Sequence, residues 1–179
     1  MSLDGYIAAP DGGYDWIPHD PTFDFGALYA QFGTLLMGRK TFELMETQGM
    51  SPASMGMEAV VVSTTLKNTR RKGVTFVGAR VHEAVAALKA EAGKDIWLFG
   101  GAQLCRSLLD AGLVDTVELS VVPVLLGGGK KLVPDGQRWP LELVECSATS
   151  GGRVTLKYDV VREPAAPQAG KRQQSGRRR

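Results

Sequence analysis

Thr34-Leu35-Leu36-Met37-Gly38-Arg39-Lys40-Thr41-Phe42-Glu43-Leu44-Met45 changes its hydrophobic period at Gly38. The run Thr34 to Met37 is apolar and stops at glycine, the pattern of a short strand buried on both faces. From Arg39 the apolar residues Phe42, Leu44 and Met45 are available for packing on a helix, expected over 39–46. A buried strand passing straight into a helix is the first half of a parallel strand-helix-strand unit.

The same alternation continues outward on both sides. Ala59 to Val62, Val74 to Val77 and Ile96 to Phe99 read as short strands. Val81 to Ala92 and Ala102 to Ala111 read as helices, the second with Gly112 at its stop. Upstream, Leu3 to Ala9 reads as a strand entering the Asp11-Gly12-Gly13 turn, and Thr22 to Phe32 as a helix presenting Phe25, Leu28, Tyr29 and Phe32. Downstream, long strands are expected at Thr116 to Leu126, Leu141 to Ser147 and Val154 to Arg162. The last two are joined through Gly151-Gly152 as an antiparallel hairpin. The expected class is therefore α/β, with a mixed, mostly parallel sheet ending in that hairpin.

The chain has 179 residues, 44% hydrophobic and 22% charged, which are globular proportions and exclude a fibrous or disordered protein. One domain is expected over 1–162. No run approaches a membrane span, and Met1 is not followed by a basic and then apolar leader, so a cytoplasmic protein is expected. Of 21 Lys and Arg and 19 Asp and Glu, five and one fall within 163–179, leaving 16 and 18 in the domain. The net +2 thus belongs to a basic tail, expected to be disordered because it has almost nothing apolar to bury. Such a tail is either solvated or a non-specific hold on nucleic acid, though no aromatic residue is interleaved for stacking. Cys105 and Cys146 sit singly among apolar residues and read as buried free thiols. His19 and His82 lie far from both, so no metal site is expected.

Three strand ends carry chemistry. Gly38-Arg39-Lys40-Thr41 starts a helix with two cations and a hydroxyl, an unfavourable arrangement unless an anion shares the helix start. Ser63-Thr64-Thr65 follows a buried strand and precedes Lys67, Arg70, Arg71 and Lys72, a setting suited to a second phosphate. Phe99-Gly100-Gly101-Ala102-Gln103 puts two glycines at a strand-to-helix junction, where a pyrophosphate can approach bare amides. Each is also readable as an ordinary loop. Together they point at one crevice beyond the carboxyl ends of the sheet.

Ser2-Leu3-Asp4-Gly5-Tyr6-Ile7-Ala8, Leu36 to Glu43, Val62-Ser63-Thr64 and Leu98 to Ala102 occur in the order found in dihydrofolate reductase-like proteins, which the chain resembles over 1–162. Ala111 to Asp115 and Pro123 to Gly129 look more like the reductase domain of the bifunctional riboflavin-biosynthesis deaminase–reductase. The resemblance implies a three-layer α/β/α fold with a mixed eight-stranded sheet. It further implies NADPH, and hydride transfer to a C=N bond of a pterin-like or ribosylaminopyrimidine heterocycle. Carried across, Arg39, Ser63 and Thr64 would contact the adenosine end. Lys40, Thr41 and the amides of Gly101, Ala102 and Gln103 would hold the pyrophosphate, with Gly38 and Gly100 also among the cofactor-binding residues, and Ile7 and Ala8 would lie against the nicotinamide. Asp24 is the expected catalytic carboxylate, with Asp4, in its Asp-Gly turn, as the alternative. Phe99 stands where the riboflavin-pathway enzymes carry a substrate-binding Glu, and Met1 alone precedes a motif that in the family follows a strand. A deaminase module is not expected. A homodimer through the long strands from Thr116 onward is possible, and a catalytically idle binding module is the rival reading.

Overall fold

Phe32–Gly38 (β2) is hydrogen-bonded in parallel on both sides, to Glu58–Val62 (β3) and to Asp95–Leu98 (β5). Val74–Val77 (β4) extends the ladder beyond β3, giving a four-stranded parallel sheet in the order β4-β3-β2-β5. The computed structural model describes residues 1–21, 23–66 and 69–162. The basic tail, Thr22 and Lys67 lie outside them.

Alternation along these strands sends successive side chains to opposite faces. Leu35, Met37, Ala59 and Val61 pack against Phe42 and Met45 of Arg39–Thr47 (α2). Leu36 packs on the other face against Val85 of Val81–Ala90 (α3) and Leu108 of Ala102–Asp110 (α4). Two apolar clusters on opposite sides of one sheet make the three layers α/β/α. Trp97 is a core residue, stacked on Phe32 with ring centres 5.1 Å apart. Met45 and Met57 belong to the same cluster.

Two elements end earlier than their periodicity predicts. The first helix spans only Phe25–Tyr29 (α1), because Phe32 pairs with Asp95 of β5 and starts β2. Tertiary pairing overrides a helical apolar spacing. The strand expected over 116–126 stops at Val121 (β6), two residues before Pro123, which cannot donate to a ladder.

Beyond β6 lie a two-residue strand, Lys130–Lys131 (β7), and the expected hairpin, Leu141–Ala148 (β8) and Val154–Val160 (β9). β6, β9 and β8 form a second, antiparallel sheet in that order. The strands implied by the resemblance therefore occur as separate ladders. The short strand Tyr6–Ala8 (β1) pairs with β7, and Ser2 bridges Val122 in parallel beside the end of β6.

Cross-strand register sorts the antiparallel sheet by polarity. Val117–Tyr158–Leu143, Leu119–Leu156–Cys146 and Val121–Val154–Ala148 share one face. Thr116–Asp159–Glu142, Glu118–Lys157–Glu145 and Ser120–Thr155–Ser147 share the other. All of β8 is exposed, so Cys146 is an exposed free thiol, not a buried one; Cys105 is half-buried. No helix among the described residues is long and apolar enough to cross a membrane.

Leu35 is fully buried on the central strand. Leu35→Ala is expected to lower the unfolding free energy by about 3 kcal/mol, read in a urea melt, with the denaturant slope unchanged.

Candidate functional site

The two ladders on β2 bring the three predicted strand ends together. Gly38 is opposite Val62, the residue before Ser63, and Leu36 is opposite Leu98. The Phe99 amide donates to the Leu36 carbonyl at 2.8 Å, which carries the β2–β5 pairing to the start of the double glycine.

Gly100 and Gly101 have φ of +70° and +88°, a region that side-chain-bearing residues avoid. A Cβ on Gly100 would stand 3.3 Å from Thr41, and one on Gly101 would stand 3.8 Å from the Gly38 nitrogen. The first and third loops are therefore in contact, and a side chain at Gly100 would crowd Thr41. A Cβ on Gly38, by contrast, would meet open space.

Two helices start here, and neither is capped by a side chain. α2 begins after Gly38 and α4 after Gly101, and both caps lack an oxygen to accept the first-turn amides. Elsewhere Asp24 caps α1 and Ser51 the short 3-10 turn Pro52–Met55, while α3, which starts after Arg80, has no side-chain cap either. Uncapped amides of two adjacent helix starts make a positive cradle.

The cations in that cradle are differently placed. The Arg39 guanidinium is held by both carboxylate oxygens of Glu43, at 2.8 and 2.9 Å, while Lys40 is exposed. The pairing of Arg39 with Glu43 was missed in the sequence, although its i,i+4 spacing was there to read.

On the β3 side the two hydroxyls have separate roles. Ser63 is buried; its Oγ accepts the Leu66 amide at 3.0 Å and lies 3.3 Å from Thr65 Oγ1. Thr64 is exposed, as are Arg70 and Lys72. Ser63 thus shapes the loop that carries Thr64. Ala102 is half-buried at the head of α4, with Gln103 exposed beside it.

Ile7 and Ala8 lie on β1 and Asp24 at the start of α1, outside the three strand ends. Among the described residues no hydrogen bond, ion pair or strand ladder joins them to the three strand ends. Asp24 is exposed and its Oδ1 accepts the Ala27 amide at 2.8 Å as the α1 cap. Ile7 and Ala8 are half-buried on β1, against the glycine-rich segment 127–129. A Cβ on Gly129, which has φ +147°, would stand 2.2 Å from the Ala8 carbonyl oxygen, so only glycine fits there.

Asp4 fastens that segment. Its Oδ1 accepts the Leu126 amide at 3.1 Å and its Oδ2 the Gly127 amide at 2.8 Å. The Ser2 hydroxyl first, and then these amides, hold its carboxyl below the usual carboxylate range. This latch was legible only as an Asp-Gly turn and a distant triple glycine, with nothing in the sequence to connect them. A shallow hollow of about 190 Å³ lined by Gln31, Glu118, Glu145, Thr155 and Lys157 lies on the polar face of the antiparallel sheet. It shares no residue with the strand ends, and the Lys157–Glu118 pair already occupies its charges.

Because the folded protein depresses the Asp4 pKa, its contribution is complete above the ordinary value of 3.8 and is lost as pH falls through the lower folded value. Asp4→Asn is therefore expected to be less stable than wild type at neutral pH, with the gap closing in acid. Hydrogen exchange at Leu126 and Gly127 should rise in the variant, measured by mass spectrometry or NMR.

Comparison with known proteins agrees with this fold. The sequence profile of the RibD C-terminal domain matches residues 1–155. YyaP of Bacillus subtilis (strain 168), itself uncharacterized, is 34% identical over 169 residues, covering 88% of this chain and 90% of that protein. The riboflavin biosynthesis protein RibD of Corynebacterium ammoniagenes is 27% identical over 144 residues, which is 72% of this chain but 42% of that longer protein. Among solved structures, a candidate riboflavin biosynthesis protein from Shewanella sp. PV-4 superimposes with a TM-score of 0.75 at 24% identity. It covers 90% of this chain and 96% of its own. The deaminase/reductase of Thermotoga maritima superimposes at 0.67 and 15% identity, over 89% of this chain and 54% of its own. The two structures speak for the fold, and the profile, spanning nearly the whole described chain, decides the assignment: this protein belongs to the RibD C-terminal domain family.

Proposed function

We propose that the chain is a reductase that binds NADPH across the ends of β2, β3 and β5 and acts on a C=N bond of a pterin-like or ribosylaminopyrimidine heterocycle. One observation carries the reading: two helices that begin on glycine without a capping side chain start against each other at Gly38 and Gly101. A dinucleotide pyrophosphate supplies the acceptors those amides lack. NADPH, when bound, supplies the hydride, and the protein supplies placement and a proton.

In this reading the amides of Gly101, Ala102 and Gln103, with Lys40 and Thr41, hold the pyrophosphate. Gly100 keeps the approach clear beside Thr41. Arg39 and Thr64 take the 2′-phosphate, with Ser63 holding the Thr64 loop from beneath. Glu43 keeps the Arg39 fork extended in the free protein, which lowers the ordering cost when the phosphate arrives. Ile7 and Ala8, braced by the Asp4 latch through Gly129, lie along the nicotinamide end. Asp4 is a poor proton donor, because its hydrogen bonds keep it ionised. Asp24 would be the carboxylate that binds the heterocycle and assists its protonation, and it also caps α1.

Titration of the protein with NADPH is expected to quench cofactor fluorescence with one-to-one stoichiometry; an unchanged signal at millimolar cofactor overturns the reading. Arg39→Ala should weaken NADPH by about 10- to 100-fold and NADH much less, since only the former carries the extra phosphate. Asn caps helices as well as Asp does, so Asp24→Asn should leave the melting temperature unchanged. Its turnover, followed by NADPH absorbance with a panel of pteridines and ribosylated pyrimidines, should fall about 100-fold or more.

A further inference from the structure

On the NADPH reading of the strand ends, on which this inference rests, we propose that Arg106 is a positioning residue. It ties the helix that starts at the cofactor's pyrophosphate to the strand pair that carries Ile7 and Ala8, and so sets where the nicotinamide lies.

α4 is a fixed support. Leu108 and Leu109 are buried, and Leu108 packs with Leu36 of β2 in the core. Arg106 stands five residues beyond the Gly101 start, about 7.5 Å along the axis. Its side chain is 27% exposed, and its Nε donates to Asp110 at 3.2 Å, one turn further on. That bond steers the guanidinium plane, and two residues of a segment distant in sequence close on it. The guanidinium carbon lies over the Trp139 ring, 5.8 Å from its centre. A Cβ on Gly136 would stand 1.9 Å from that carbon and 2.0 and 2.1 Å from the two terminal nitrogens, so the Gly136 backbone sits directly on the fork. A planar cation suits both partners at once, where a lysine ammonium would present a point charge.

The segment held in this way, 132–140, contains neither helix nor strand. Asp135, beside Gly136, pairs with Lys131 at 2.7 Å. Lys131 first, and Arg106 to a lesser degree, hold the Asp135 carboxyl below the usual carboxylate range. Lys131 stands opposite Tyr6 and Lys130 opposite Ala8 in the β7–β1 ladder, and the Leu132 amide donates to the Gly5 carbonyl at 3.2 Å. Contacts therefore run from α4 through Arg106, Gly136, Asp135 and Lys131 to β1. With three residues in β1 and two in β7, this ladder is too short to hold itself. Its place depends on what braces β7 from outside. On one side that is the Asp4 latch at Leu126 and Gly127, and on the other it is Arg106.

Two ligands separate this role from a merely structural one: NADPH, and 2′-phospho-ADP-ribose, which keeps the phosphates and lacks the nicotinamide. Binding of each to the full chain is measured by calorimetry. In Gly136→Ala the added Cβ displaces the guanidinium, the far end of a flexible side chain, and leaves α4 intact. Trp139→Leu removes the aromatic face and leaves Gly136 as it is. Both variants are expected to bind NADPH about tenfold more weakly and 2′-phospho-ADP-ribose within about twofold of wild type. Equal weakening of both ligands overturns the proposal. Hydrogen exchange of the free protein gives a reading that needs no cofactor: the amides of β1 and β7 should exchange about tenfold faster in both variants, and unaltered exchange refutes the link. Should one variant fail to fold, the other decides. A wild type that binds neither nucleotide sinks the NADPH reading, and the role at the nicotinamide with it. Wild-type binding that both variants leave unchanged sinks the role of Arg106 alone.

Discussion

Parallel hydrogen bonding of β2 to β3 on one side and to β5 on the other forces three strand ends onto one edge of the sheet. Each parallel partner must be reached by a crossover, and each crossover starts at that edge. The loops after Gly38, Val62 and Leu98 are therefore neighbours as a consequence of topology, before any side chain contributes. With Gly38 opposite Val62 and the Phe99 amide bonded to Leu36, the ends are also level with one another to within a residue or two. The central position of Leu35, Leu36 and Met37, buried from both faces, fixes the strand that makes this possible.

Electrostatics at that edge follow from which helices are capped. α1 begins on an aspartate and the 3-10 turn on a serine, so their first amides are satisfied within the chain. α2 and α4 begin on glycines, and α2 adds two cations to an already positive helix start. Such an arrangement costs stability in the empty protein, and Glu43 offsets part of that cost by accepting Arg39. The second anchored region, β1 with Gly129 and the Asp4 latch, obeys different physics. There a carboxylate satisfies two backbone amides of a loop, and Gly129 leaves room for the Ala8 carbonyl, whose oxygen would lie 2.2 Å from an added Cβ.

How much of this was readable in the sequence depends on the range of the determining interaction. Strands β3 and β4, helices α2 and α4, and the β8-β9 hairpin are set by local period and turn residues, and their expected limits agree with the structure to within a residue or two. The adjacency of the three strand ends was also legible, because alternating strands and helices leave few topologies. What was not legible depends on distant partners. Phe32 leaves a helical pattern to pair with Asp95, and Pro123 cuts β6 short before Asp4 captures the segment that follows. Ser63 reads as a phosphate ligand, and the sequence gives no sign that its hydroxyl oxygen also accepts the Leu66 amide. Cys146 reads as buried because its neighbours are apolar, and is exposed because the strand that carries it lies at a sheet edge.

The two sheets differ in how their apolar surfaces are satisfied, and the difference bears on how the molecule holds together. In the parallel sheet β2, β3 and β5 send one set of side chains under α2 and the other under α3 and α4, and β4 adds Val74 and Phe76 on the α2 side, so the chain completes its own core. In the antiparallel sheet the polar side is finished by ion pairs and hydroxyls, while the apolar side ends at β8, where nothing in the core reaches it. A strand with eight exposed residues contributes little hydrophobic stabilisation to an isolated chain and should be among the first segments to open. β6 pairs with β9, and beyond its end Val122 bridges Ser2 beside the base of the Asp4 latch. The fold at the strand ends and the surface at the far sheet are in this way linked through one short stretch, Val121 to Gly127, that belongs to both.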